Sequence, residues 1–319
     1  MIGPPARLCL ALLLPGLAAC TTHRLQEADA ARSRVEIART PFFPQTAHQC
    51  GPAALATILA ASGADTTPAA LTDEVYLPKR RGSLQAELLA SARRHARVAY
   101  VLDPSLPSLL AELERDQPVL VLQNFGLAHL PLWHYAVVIG YDRERDTFLL
   151  RSGRHESEQL AAARFLGTWR RAGNWGAIAL RPGELPADGT ALRFLTAVDA
   201  LAAQGHLEVA MPSYESAVQR WPEEPLAWFA LGNSRAALGL DSAAESAYRE
   251  VLQRNAGYLP ARNNLALLMA RRGCRTPALE MLEAARAEAD NGPYAVEIAD
   301  SLREIRSLAA PAAPPSSCP

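Results

Sequence analysis

Apolar and polar positions divide the chain into stretches of different period. An unbroken apolar run from Leu8 to Ala19, preceded by one charge at Arg7, gives way to a polar, weakly helical stretch over 21–40 that reads as a tether. The run is shorter than the roughly 20 apolar residues of a membrane span and fits a signal-peptide core. Ala- and Leu-rich sequence from Cys50 to Ser62 predicts a helix stopped by Gly63, with Pro52 in its first turn. Ser83 as N-cap, with Leu84, Leu88 and Leu89 on one face, predicts a second helix to about Ala96. Five short apolar runs then read as strands: 98–102, 119–122, 135–139, 147–150 and 176–180. The polar turn 141–146 should join the third and fourth as a hairpin. Helices first and strands after make an α+β unit over 41–183.

Past the Pro/Gly linker Arg181–Pro186 the period becomes helical throughout and repeats. Phe194, Trp228 and Arg262 lie 34 residues apart, as do Gly205, Gly239 and Gly273. The same step relates Ala210, Ala244 and Ala278, then Tyr214, Tyr248 and Leu282, then Ala217, Val251 and Ala285. With Pro222 and Trp228-Phe-Ala-Leu231-Gly232, this pattern resembles the tetratricopeptide repeat. That resemblance implies about three helix pairs and a capping helix over 190–308, stacked into an all-α solenoid with a concave protein-binding face. Arg262 stands where an aromatic is usual. Residues 309–319 are rich in Pro, Ala and Ser and read as a disordered tail.

A net charge of −1 over 319 residues gives no electrostatic argument for nucleic acid. No Gly-x-x-x-x-Gly-Lys-Ser/Thr run appears, so an ATP-driven transporter is excluded. The five cysteines show no Cys-x-x-Cys spacing and imply no metal. Leu17-Ala18-Ala19-Cys20 resembles the bacterial lipobox, which implies cleavage after 19 and a lipid on Cys20. With Thr21 next, the resemblance implies a lipid-anchored protein of the outer membrane facing the periplasm. Cys274 either fills a gap between helices or bonds Cys318 in the tail.

Cys50 remains. It opens a predicted helix, where free N–H groups and the dipole favour thiolate. Gly51 keeps bulk off the line of attack. Gln45 can add its side-chain amide to the Cys50 N–H as a donor to an oxyanion. His134 opens the apolar strand His134-Tyr-Ala-Val-Val-Ile-Gly-Tyr-Asp142 and can accept the thiol proton. The runs Gln45-x-x-x-x-Cys50-Gly-Pro-Ala-Ala-Leu and His134-Tyr-x-Val-Val-x-Gly-Tyr-Asp together resemble the bacteriocin-processing (double-glycine leader) cysteine peptidases. The resemblance implies a papain-like fold, peptide cleavage without a cofactor, Cys50 as nucleophile, His134 as base and Gln45 as oxyanion donor. Two positions depart from the family pattern. Gln49 precedes Cys50 where Asp is common, and Ser152-Gly153 replaces the Asp-Pro that usually orients the histidine. Ser152 can accept a hydrogen bond there but brings no charge. Asp142 and Asp146 lie in the hairpin turn.

His129 is the rival base. His48 either lines the site or is solvated, His155 reads as a surface residue, and Trp133 either walls the cleft or packs in the core. The expected protein is an exported, lipid-anchored cysteine peptidase whose repeats recruit a protein partner or the substrate. The alternatives are a non-catalytic adaptor that binds partners with the same two parts, and acyl or peptidoglycan-amide transfer by the same thiol.

Overall fold

The computed structural model describes residues 25, 28–45, 49–308 and 318. The expected signal peptide and Cys20 lie outside them. So does the expected disordered tail, apart from Cys318.

The N-terminal unit runs β1 (Arg34–Glu36), α1 (Cys50–Ala61), α2 (Pro68–Val75), α3 (Gln85–Arg94), β2 (Val98–Val101), α4 (Leu106–Glu114) and β3 (Val119–Asn124). It continues with β4 (Trp133–Asp142), β5 (Thr147–Ser152), β6 (His155–Ala161), α5 (Ala162–Arg170) and β7 (Gly176–Leu180). The strands form one sheet in the order β2-β7-β3-β4-β5-β6, every pair antiparallel. The five predicted strands are all present, and β4 and β5 form the expected hairpin. Every residue of β3 is buried, and so are the last eight of β4. Both strands are apolar without alternation because helices cover the sheet centre, α1 against β4 and α5 against β3.

Two expectations need correction, and several elements are additional. Residues 28–40 are not a free tether. Val35 and Ile37 are core, and β1 pairs with the far end of β4, so close that a Cβ on Gly140 would strike the Val35 carbonyl. Ser83 does not cap α3. The N-cap there is Leu84, without a side-chain bond, whereas Thr67 and Ser105 cap α2 and α4. Strand β6 and helices α2, α4 and α5 were not anticipated. The β6 run His-Glu-Ser-Glu-Gln-Leu-Ala is mostly exposed, so it carries no apolar signal.

The second half is a stack of antiparallel helices: α6 (Ala191–Ala202), α7 (Leu207–Arg220), α8 (Pro225–Ala237), α9 (Asp241–Arg254), α10 (Leu259–Arg271), α11 (Arg275–Ala289) and α12 (Ala295–Ser307). The 34-residue columns have physical roles. Ala210, Ala244 and Ala278 are fully buried where helices cross, and Gly205, Gly239 and Gly273 take positive φ in the turn within each pair. A Cβ on Gly232 would enter the Tyr248 ring. The Trp228 indole donates to the Pro222 carbonyl at 2.8 Å, closing the turn before α8. Arg262, where an aromatic was expected, instead pairs with Glu288 and donates to the Ala256 carbonyl. Cys274 is buried and forms a disulfide with Cys318.

The two halves share one core. Helix α6 packs on β2 and α3, and buried residues run without a break from the sheet to Leu231 and Ala247. The linker is pinned as well. Asp188 accepts from Ser108 Oγ at 2.8 Å and from Tyr100 Oη at 3.2 Å, and the Ala187 N–H donates to buried Glu112 at 2.8 Å.

Candidate active site

Helix α1 presents Cys50 at its first position. Gln49 gives no side-chain cap and the first turn holds no acid, so the N-terminal amides stay open to an anion. Cys50 is half-buried and is the free cysteine among the described residues. Its sulfur faces backbone N–H groups of Tyr135, Gly51 and Cys50 itself, which favour thiolate. Burial outweighs them, and the net effect pushes the thiol up from its ordinary value. The lowered thiol expected from the helix terminus alone is therefore not the outcome.

The Tyr135 amide belongs to the residue after His134, so the thiol lies against the mouth of β4. His134 Nε2 is 3.0 Å from Ser152 Oγ at the end of β5, and the ring stacks on Phe125 with centroids 5.3 Å apart. Burial lowers the His134 pKa, and the Glu158 carboxylate on β6 pulls it back up. Both shifts favour the uncharged forms, so the resting pair is thiol and neutral imidazole. With Nε2 engaged by Ser152, Nδ1 is the nitrogen left for proton transfer. The Gln45 N–H donates to the Gly153 carbonyl at 2.9 Å, which ties the loop before Cys50 to the turn after Ser152. The fold thus brings Gln45, Cys50, His134 and Ser152 to one end of the sheet.

The other sequence candidates separate from this group. Asp146 accepts from the Leu25 N–H and Asp142 from the Arg145 N–H, both in the turn at the opposite end of β4. His129 is exposed in the β3–β4 loop, and His155 is exposed where β6 begins. Trp133 is 51% exposed, so it is not core. His48 lies outside the described residues. Gly51 has a reason beyond the line of attack, because a Cβ there would press on the Ser83 side chain.

Sequence reasoning missed Glu158, which sits in a polar run with no motif around it, and Phe125. It also missed the apolar rim of Leu127, Leu130 and Leu132, all more than half exposed beside the site. An apolar run without charges next to the catalytic-type histidine was the available signal.

A cysteine at the start of the central helix, a histidine opening a facing strand and an antiparallel sheet define a papain-like cysteine peptidase fold. Residues 37–176 match the model of the Peptidase_C39 like family, so this segment is similar to C39-like peptidase domains. Among solved structures the chain is similar to a putative C39-like peptidase from Bacillus anthracis, at 16% identity over 47% of this chain and 98% of that one, with a TM-score of 0.40. It is also similar to the TPR2B domain of yeast Sti1 in its complex with pHsp70, at 21% identity over 36% and 95% of the two chains (TM-score 0.34). A third similar structure is the Yersinia enterocolitica type III secretion translocator chaperone SycD, at 17% identity over 39% and 87% (TM-score 0.35). None of the curated proteins matches.

Proposed function

We propose that the protein is an exported cysteine peptidase, held to the outer membrane by a lipid on Cys20 and facing the periplasm, whose repeats bring a protein partner or substrate to the site. The observation that carries this reading is the Cys50 sulfur against the Tyr135 backbone N–H at the mouth of β4, one residue past a histidine whose Nε2 is engaged by Ser152.

In the reaction His134 takes the Cys50 proton as sulfur attacks the substrate carbonyl carbon. The oxyanion is held by the Gln45 side-chain amide and the Cys50 backbone N–H. Collapse expels the amine, which takes the proton back from His134 and leaves a thioester. Water activated by His134 then releases the acid and restores the thiol. Because the resting pair is neutral, His134 acts as a general base during attack, with no standing ion pair.

Acylation by p-nitrophenyl acetate, followed by intact mass, tests this. A single acetyl on Cys50 is expected, and His134→Ala should slow its formation by about 100-fold. Acylation no faster than that of a free thiol at the same pH, with no dependence on His134, would sink the peptidase reading. It would favour an adaptor that binds peptides with the same fold, a reading supported by the raised Cys50 thiol and the uncharged Ser152.

A further inference from the structure

We propose that the cavity between α6, α7 and α8 is a binding site for a long cationic side chain, arginine or lysine, of an extended peptide from the partner. This deepens the proposal that the repeats recruit a protein, and rests on it.

The cavity has a volume of about 300 Å³ and is walled by Leu207, Leu226 and Phe229, with Asp199, Tyr214, Asn233 and Ser234 as its polar lining. A space of this size suits one long side chain better than a folded surface. Asp199 is its one acid. The Tyr214 hydroxyl donates to Asp199 Oδ1 at 2.6 Å, which fixes the carboxylate in the cavity wall. Among the described residues no arginine or lysine pairs with Asp199. The apolar walls raise its carboxyl from the ordinary value, the Tyr214 bond pulling the other way. A carboxylate held between apolar walls without a counter-charge is complemented by a cation on an apolar stem, which arginine and lysine provide.

The repeat supplies the second half of the site. Asn233 stands one 34-residue step after Asp199, and Tyr248 one step after Tyr214. The Tyr248 hydroxyl donates to Asn233 Oδ1 at 2.8 Å, and the Asn264 amide donates to the same oxygen at 2.9 Å. These bonds occupy the Asn233 oxygen, and Asn233 is an exposed residue of the cavity lining, so its NH₂ group is the part that can donate to a peptide carbonyl. The array therefore offers a donor for the main chain beside an acceptor for a cationic side chain. An acidic segment would instead meet Asp199 with its own charge.

The test uses the mature full chain and fluorescence anisotropy. The probe is a fluorescein-labelled Ala/Ser/Gly nonapeptide with one central arginine, set against the same peptide carrying citrulline, which keeps the shape and loses the charge. The arginine peptide should bind at least about tenfold more tightly than the citrulline peptide. Asp199→Asn should erase that difference and Tyr214→Phe should reduce it, whereas Glu280→Gln, an exposed acid on α11, should leave it unchanged. Equal binding of the two peptides, no saturable binding of the arginine peptide up to about 1 mM, or an equal loss with Glu280→Gln would each overturn the proposal. Cys50→Ala protein should bind the arginine peptide as the parent does, so a failure of the peptidase reading and a failure of this one are read separately.

Discussion

In the repeat array Ala210, Ala244 and Ala278 hold the same place in successive helix pairs and are equally buried. In the peptidase domain the residues that meet at the site come from a loop, a helix and two strands with no shared pattern, and they are joined by long-range contacts: the pairing of β4 with β5, the packing of α1 on β4 and the bond from Gln45 to Gly153. The array is stabilised by each pair against its neighbours, nearly as a sum of local terms. The site depends on long-range registry, so a change in β5 or β6 reaches a histidine on β4. Damage should therefore stay local in one half and travel in the other.

The largest expected effect is at the site and leaves the array untouched. Gln45→Ala should slow acylation of Cys50 by p-nitrophenyl acetate by about 100-fold, because an oxyanion donor is lost. Alkylation by iodoacetamide forms no oxyanion and should hardly change. Equal losses with both reagents would mean that Gln45 only shapes the loop.

Gly232→Val probes the other half. Its side chain would be driven into the Tyr248 ring, costing about 1–3 kcal/mol in urea unfolding. Cys50 acylation in the folded protein should stay as it was. A matching fall in acylation would show that the shared core couples the halves more tightly than a sum of local terms allows.

Glu112→Gln tests the joint between them. Burial pushes the Glu112 carboxyl up to about 7, partly offset by the bond from the Ala187 N–H. A raised carboxyl binds its proton more tightly in the folded state, so the stability it contributes is full at acid pH and is lost as pH rises through about 7. The glutamine variant avoids that loss. It should melt with the parent at about pH 4, below the ordinary carboxyl range, and be more stable at about pH 8.5 by roughly 1–2 kcal/mol. A constant difference at both pH values would contradict the assignment.

The smallest effect concerns Glu158. Its charge raises the His134 pKa against the lowering by burial. Acylation needs neutral His134, so Glu158→Gln should move the acid limb of the pH–rate profile to lower pH without changing the plateau. Ser152→Asp should move the same limb upward, since a carboxylate on Nε2 favours imidazolium. An unmoved limb in both variants would mean that His134 is not the base.

The sequence by itself determined the parts whose signal is local. The 34-residue columns named the buried alanines, the turn glycines and the packed tyrosines before any coordinates, because a helix pair buries residues that lie close together in the chain. Apolar runs named the five core strands, and the spacing of Gln45, Cys50 and His134 named three residues of the proposed site. It could not reveal β1, whose partner on β4 lies about a hundred residues along the chain, or β6, which pairs with its neighbour β5 but is mostly polar and exposed and so carries no apolar signal. Only the tertiary structure decided that Ser83 packs on Gly51 instead of capping α3, that Cys274 meets Cys318, and that Glu158 stands near His134. It also decided the charge state of the pair. A helix terminus lowers a thiol by local dipoles, which the sequence reports, but burial raises it through everything packed around it, and here burial is the larger effect.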